Sequence, residues 1–258
     1  MPTDPGPWVT ALRHSHDHLA GRAETLDSNS LLMNSYCPGW NIAHVYSHLG
    51  SQAEMFNLFV DAWETGGDPP GQEGFPPIWD AWNGRSPQAQ AQDSVTWNER
   101  FVSRIEALDA DQRREFRVTA FGMDLDLAGL LQLKLAEHAI HSWDIDVSFD
   151  PTALVSEESV ALLVDNLPAV VARVGKPSGA ETTLHVLTSD PERQFALAAD
   201  GVRLEPWADQ ATTGTLQLPG EALLRLVYGR LDPAHTPPLE LASSGTTLED
   251  LRSLFPGV

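Results

Sequence analysis

The chain is poor in several things, and each shortage narrows what it can be. Of its 258 residues one is a cysteine, Cys37. A disulfide framework within the chain is therefore excluded, which fits a reducing cytoplasm. Lysine is confined to Lys134 and Lys176, so arginine carries most of the positive charge. Lysine scarcity beside abundant Ala, Arg and Pro is the mark of a GC-rich genome rather than of a function. Against 16 basic residues stand 36 acidic ones, for a formal net charge of -20. Such a field repels phosphate backbones and anionic membrane surfaces, so it argues against nucleic-acid and membrane partners. It also obliges an anionic substrate to find local arginines. No apolar run is long enough to span a bilayer. The stretch from Met1 to Trp8 has neither a basic n-region nor an apolar h-region, so no secretory leader is expected. These absences together predict a soluble, cytoplasmic protein.

What is present is the material for a packed core. Hydrophobic residues make up 42% and charged residues 20%, and the length accommodates two domains. Val9, Leu12, Leu19 and Leu26 recur at three- to four-residue steps, which predicts an amphipathic helix from Pro7 to about Leu26. His14, His16 and His18 lie in it and are expected at the surface, although His14 and His18 share a face. A turn-rich segment, Asp27 to Asn29, follows. Pro38 and Gly39 then stop the chain before Asn41, a suitable N-cap. The second helix should run from Ile42 to about Trp63 on the apolar face of Val45, Leu49, Phe56 and Phe59. His44 and His48 sit one turn apart on it.

Gly66 to Pro87 reads as a long loop rich in Pro and Gly that holds Phe75, Trp79 and Trp82. Loops of that length are usually functional or mobile, and its aromatics suit either a substrate wall or anchors that pin the loop to the bundle. A third helix is expected from Gln88 to Leu108, a short extended piece from Phe116 to Phe121, and a fourth helix from about Asp126. The fourth is apolar almost all round and should be central.

That helix carries Glu137, His138, His141 and Asp144. Glu137 and His141 are four residues apart and stack on one face. A surface pair at that spacing would be unremarkable. On a buried helix, polar groups are costly unless they are paired or bound to metal. Four long helices predict a four-helix bundle, which builds metal sites from inward side chains on facing helices. His48 with Glu137 and His141 makes three ligands, with His44 as the rival one turn earlier.

The pattern breaks at Asp150-Pro151, where the domain boundary is placed: residues 1–150 form the bundle and 151–258 a second domain. Ser156 should cap a helix to about Val174, kinked at Pro168. Short strands are expected at Thr182–Thr188, Phe195–Ala199, Val202–Trp207, Thr215–Leu218 and Leu239–Ala242, with a turn at Gly175–Gly179, a hairpin turn at Asp200-Gly201, and helices at Glu221–Tyr228 and Thr247–Leu254. The fold class is thus α plus α+β.

Three stretches together resemble the mycothiol-dependent maleylpyruvate isomerase family. They are Gly39-Trp40-Asn41 leading to Ala43-His44-Val45-Tyr46-Ser47-His48-Leu49, then Glu137-His138-Ala139-Ile140-His141-Ser142-Trp143-Asp144, and Leu218-Pro219-Gly220 through Leu226-Val227-Tyr228-Gly229-Arg230. The resemblance extends over nearly the whole chain. It implies a DinB-like metal-binding bundle followed by a C-terminal domain shaped like sterol carrier protein 2. It also implies a divalent metal, usually zinc, on His48, Glu137 and His141, and mycothiol as cosubstrate. Asp144 matches an acid just beyond the ligands that would orient an imidazole, and is counted with Arg230 as catalytic. Three protein ligands leave one position open, as in catalytic sites, and a thiol bound there is held as thiolate.

Isomerases of the family hold substrate carboxylates with arginines. Arg230 fits one of them, with Arg225 a turn away. Where the other is expected this chain has Trp82, with Arg85 displaced and Trp79 nearby, and an indole cannot replace a guanidinium fork. The first expectation is therefore a mycothiol S-transferase acting on a small electrophile, with Trp82, Arg85, Trp79 and Arg225 lining the substrate. The alternative is a mycothiol-dependent maleylpyruvate cis-trans isomerase. Beyond these stand a non-catalytic metal-binding module and a metal-dependent hydrolase.

Overall fold

The structure, a computed structural model, describes residues 4–179 and 181–257. The first three residues of the stretch inspected for a leader, and Ala180 just after the turn expected at Gly175–Gly179, lie outside that range. The chain forms two compact units, Met1–Ala153 and Leu154–Val258.

In the first unit four long helices, α1 (Gly6–Thr25), α3 (Ile42–Thr65), α5 (Pro87–Ala107) and α7 (Leu127–Asp146), close a bundle. α1 packs on α5 and α7, and α3 packs on the same two. Each of the last three starts where a side chain takes up a free backbone donor. Asn41 accepts from His44 N (2.8 Å), Ser86 from Ala89 N (3.3 Å) and Asp126 from Gly129 N (2.9 Å). α7 is the central element, with 15 of its 20 residues buried.

The secondary structure of the first unit departs from the sequence expectations in three places. Asp27 to Asn29 is not simply a turn, because Asp27 caps a one-turn helix, α2 (Ser28–Leu31). The segment after Gly66 is not one long loop. It contains a 3-10 turn (Gln72–Gly74) and a helix, α4 (Phe75–Asn83). Pro76 and Pro77 fall in the first turn of α4, where a missing N–H costs nothing, so residues that suggest a loop begin a helix instead. After α5 and a short α6 (Ala110–Glu115), the extended piece is one arm of a hairpin, β1 (Arg117–Ala120) with β2 (Met123–Asp126). Its two-residue turn, Phe121-Gly122, has positive φ at both positions (52° and 76°), as the favoured hairpin turns require. The Phe121 ring packs among Phe56, Phe59 and Phe75, with centroids 6.0, 5.3 and 5.7 Å away.

The second unit has a five-stranded sheet in the order β5-β4-β3-β6-β7. The strands are β3 (Thr183–Ser189), β4 (Arg193–Ala198), β5 (Arg203–Pro206), β6 (Gly214–Pro219) and β7 (Glu240–Ser243). Only the β3–β6 pair is parallel. Leu184, Val186 and Thr188 alternate toward the buried face of β3, and α10 (Gly220–Val227) packs on β3 and β6. The helix expected from Ser156 to Val174 is broken into α8 (Glu157–Leu163) and α9 (Leu167–Val174) by a 3-10 turn just before Pro168. A last helix, α11 (Leu248–Leu254), begins with a capping box at Thr247.

One close approach fixes α4 on α3. Trp82 is fully buried against Gly50, where an added Cβ would lie 2.1 Å from the indole Cζ3. A Gly50→Ala substitution should therefore destabilise the first unit by about 1–3 kcal/mol through overpacking, despite alanine's better helix propensity. Urea unfolding midpoints of the two proteins check this.

Candidate metal centre

α3 and α7 face each other with His48 on one and Glu137 and His141 on the other. His48 Nε2 lies 3.0 Å from Glu137 Oε2, and His141 Nε2 lies 3.6 Å from the same oxygen. The two imidazoles stand edge to face, 4.6 Å between centroids. All three residues offer a ligand atom within 4.8 Å of the others. Tetrahedral ligands at 2.0–2.2 Å from one ion would stand roughly 3.4 Å apart, and the two measured separations fall on either side of that value. The donor set therefore fits a divalent cation. His44, one turn earlier, is exposed, and of the two rivals His48 is the one that meets α7.

Two of the three ligands are already in the charge state a cation takes, and the third is not. Burial lowers the His48 imidazole from its usual range, with the Glu137 hydrogen bond opposing it, so the ring is neutral, and a cation at Nε2 would take the place of its hydrogen bond to Glu137. Burial acts to raise Glu137, but the hydrogen bonds from His141 and His48 outweigh it and hold the carboxyl well below its usual range. Burial acts to lower His141, and the bonds to Asp144, Cys37 and Glu137 overcome it and hold the imidazole well above its usual range, so a metal would have to displace a proton from this ring. Asp144 is fully buried, and its Oδ2 lies 2.8 Å from His141 Nδ1. With the Nδ1 proton held there, Nε2 is left to face Glu137 and His48, an arrangement found around many metal-bound histidines.

Two further residues at this site carried no assigned role from the sequence. Cys37 donates its S–H to Asp144 Oδ2 at 3.0 Å, and its sulfur lies 3.9 Å from His141 Nδ1. The Trp40 indole lies over both imidazoles, 5.4 Å from His48 and 6.2 Å from His141, and is 37% exposed. The only signal for either was position, in a Cys-Pro-Gly-Trp turn directly ahead of the Asn41 cap.

The residues expected to line substrate fall in both units, Trp79, Trp82 and Arg85 in the first and Arg225 in the second. Trp82 lies two residues around α3 from the His48 face, against Gly50, and its Nε1 donates to Glu54 Oε2 at 2.7 Å. It is a packing residue with no exposed surface. Arg85 covers the Trp82 ring at 3.6 Å and pairs with Asp93 at 3.0 Å. Trp79 is 43% exposed beside Phe75. In the second unit Arg225 is buried, bonded through Nε and Nη2 to Glu221 and through Nη1 to the Arg230 and His235 carbonyls. Arg230 is 6% exposed and donates to the Tyr228 carbonyl at 2.7 Å.

The N-terminal histidines divide. His14 and His18 are exposed, His18 bonding Asp146, but His16 is buried and pairs with Glu99 at 2.9 Å. That group with Asp17 has metal-like spacing. Its carboxylate, however, is already matched by the Arg13 fork at 2.6 and 3.1 Å, which holds Glu99 down to about 2.

Fold and site define a class: a helical bundle with a His, Glu, His group on two of its helices, joined to a small α+β unit. The family model described as the mycothiol maleylpyruvate isomerase N-terminal domain matches residues 12–146, more than half of the chain, and the chain belongs to that family. Two solved structures share the fold at 15% identity and a TM-score of 0.65, with 88% of this chain and 90% of the other covered. One is the mycothiol-dependent maleylpyruvate isomerase and the other a histidine-to-alanine mutant of it. Comparison with curated proteins finds no match.

Lys134, one turn before Glu137, is fully buried, with Gln52 Oε1 at 3.5 Å and the Phe56 ring at 5.4 Å. Burial pushes its amine down to about 7, against the pull of Glu137. An unfolded lysine titrates near 10.4. Between those values the unfolded chain holds a proton that the folded one has shed, so stability rises with pH across that window. A Lys134→Met variant, compared metal-free, should melt higher than the parent at pH 7, by up to about 4 kcal/mol of stability. The gap should close as pH approaches 10. Melting curves across that range read it directly.

Proposed function

We propose that this protein is a metal-dependent enzyme that uses mycothiol for cis-trans isomerisation of a small conjugated carboxylic acid of the maleylpyruvate type. The observation that carries the proposal is the convergence of His48, Glu137 and His141 across α3 and α7 with Asp144 behind His141. Family membership and the named activity of the two structural neighbours supply the thiol and the reaction class. Isomerisation is preferred to S-transfer because the family model and both structural neighbours carry the isomerase name; the ground for transfer was Trp82 in the place of a second arginine, and Trp82 is buried in packing rather than facing a substrate.

In the proposed reaction the thiolate sulfur adds to one carbon of the cis double bond, which becomes a single bond and rotates. The carbon–sulfur bond then breaks and the thiol is returned unconsumed. A divalent cation on the three side chains would hold the thiol as thiolate near neutral pH.

The chain's own part is to present and to orient. His48 and His141 offer Nε2, Glu137 offers an ionised carboxylate, and Asp144 keeps the His141 proton on Nδ1. Trp40 packs against both imidazoles from one side. Arg230 keeps the proposed role of holding a substrate carboxylate.

The assay supplies maleylpyruvate with mycothiol below the substrate concentration and follows both by NMR and mass spectrometry. Many turnovers per thiol with no adduct are expected. A stable adduct formed in equal amount to consumed thiol would establish transfer instead, and turnover without thiol would establish hydrolysis or another route. Glu137→Ala and His141→Ala should each lose stoichiometric metal by elemental analysis and at least about 100-fold in kcat/KM, with the helical circular dichroism retained.

A further inference from the structure

We infer that Cys37 is a positioning residue of this centre: its thiol fixes the Asp144 carboxylate that orients His141, and the turn it opens sets Trp40 against the same imidazole. The inference rests on the metal reading of the site, and it concerns this chain's only cysteine, which the proposed chemistry does not otherwise use.

The argument begins with the turn. Cys37-Pro38-Gly39-Trp40 closes through Trp40 N donating to the Cys37 carbonyl at 3.1 Å. Proline stands at its second position and a glycine with φ of 80° at its third, the type II pattern, which needs a residue free to adopt positive φ there. The turn is tied down behind by Ser35, whose hydroxyl accepts from Cys37 N at 3.2 Å and donates to the Trp40 carbonyl at 3.0 Å. Its geometry is therefore fixed by local bonds before it meets the helix.

The two ends of this turn then bracket one imidazole. From the first end, Cys37 donates to Asp144 Oδ2 at 3.0 Å, the same oxygen that accepts from His141 Nδ1 at 2.8 Å. From the last end, Trp40 stacks on the face of His141 at an interplanar angle of 22°. The residue between Ser35 and Cys37 adds a backbone tie, Tyr36 N to the Asp144 carbonyl at 3.1 Å, and its ring packs on Trp143 at 4.8 Å. Asp144 thus holds the loop with its carbonyl and its carboxylate while orienting the ligand.

A thiol suits this place. Cys37 is buried, so an unmatched donor or acceptor there would be costly. The S–H is a weak donor, so it steadies the carboxylate without drawing it away from the stronger N–H of His141. Cys37, His141 and Asp144 also lie close enough together to ligate an ion themselves. The short S–H to oxygen bond and the shared oxygen favour a hydrogen-bonded support over a second metal group.

The test compares Cys37→Ala and Cys37→Ser with wild type in the full chain. Metal affinity is measured by chelator competition, and the downfield His141 Nδ1 proton by NMR in metal-free protein. Cys37→Ala should weaken metal binding about tenfold and shift or broaden the Nδ1 proton, and Cys37→Ser should restore most of both, because it keeps a donor. In kinetics Cys37→Ala should lower kcat with little change in the KM for the thiol. Unchanged affinity and an unchanged Nδ1 proton in a folded Cys37→Ala protein would overturn the inference. So would two metal equivalents in wild type with one lost in Cys37→Ser, since that would make Cys37 a ligand. A wild type that binds no metal would defeat the metal reading alone, and the proton resonance would still decide the role of Cys37.

Discussion

Asp144 is a carboxylate with no exposed surface, and its bond to His141 Nδ1 is the contact on which the centre depends. A buried carboxylate is far from its preferred solvent and is tolerated only when donors surround it. Here the donors are His141 and Cys37, and satisfying them fixes more than charge. It assigns the His141 tautomer, which fixes the nitrogen that turns toward Glu137 and His48. Without Asp144 the ring could hold its proton on either nitrogen, and the three donors would not reliably converge.

α3 has to serve two surfaces at once. His48 and Gln52, one turn apart, look toward α7, where they meet Glu137 and Lys134. Gly50 and Glu54, also one turn apart, look toward α4, where Trp82 seats on one and bonds the other. Residues two apart on a helix point to nearly opposite sides, so the Trp82 packing clamps α3 from behind while the metal group forms in front. Trp82 thus acts on the centre through the helix it braces.

The helices of the bundle were legible because their apolar spacing and caps are local properties. Asn41, Asp126 and Ser156 each bond the backbone where the sequence places a helix start. The group of His48, Glu137 and His141 was legible because α7 is apolar on almost every side, so its polar residues needed partners. What was not legible depends on tertiary placement. The prolines of 66–87 suggest a loop equally well whether they end a helix or begin one. The role of Trp82 turned on which side of α3 received it, and periodicity alone did not say. His16 shows the same limit: it belongs to a polar stretch, yet it is buried with its Nε2 on Glu99 of α5. Cys37 and Trp40 escaped because a turn has no periodicity to mark its inward residues.

The centre draws on two short segments. From 35 to 48 come the Ser35 ties, the Cys37 donor, the Trp40 cover, the Asn41 cap and the His48 ligand. From 134 to 144 come Lys134, Glu137, His141 and Asp144. Within the first unit the other long helices bear on the centre by keeping these two in register, which rests mainly on apolar volume and helix ends. Cores accept extensive apolar exchange when volume and pattern are kept. Two chains can then share this fold at 15% identity. The turn from Cys37 to Trp40 is the point where the two segments are joined, because its first residue bonds α7 and its last covers ligands from both helices.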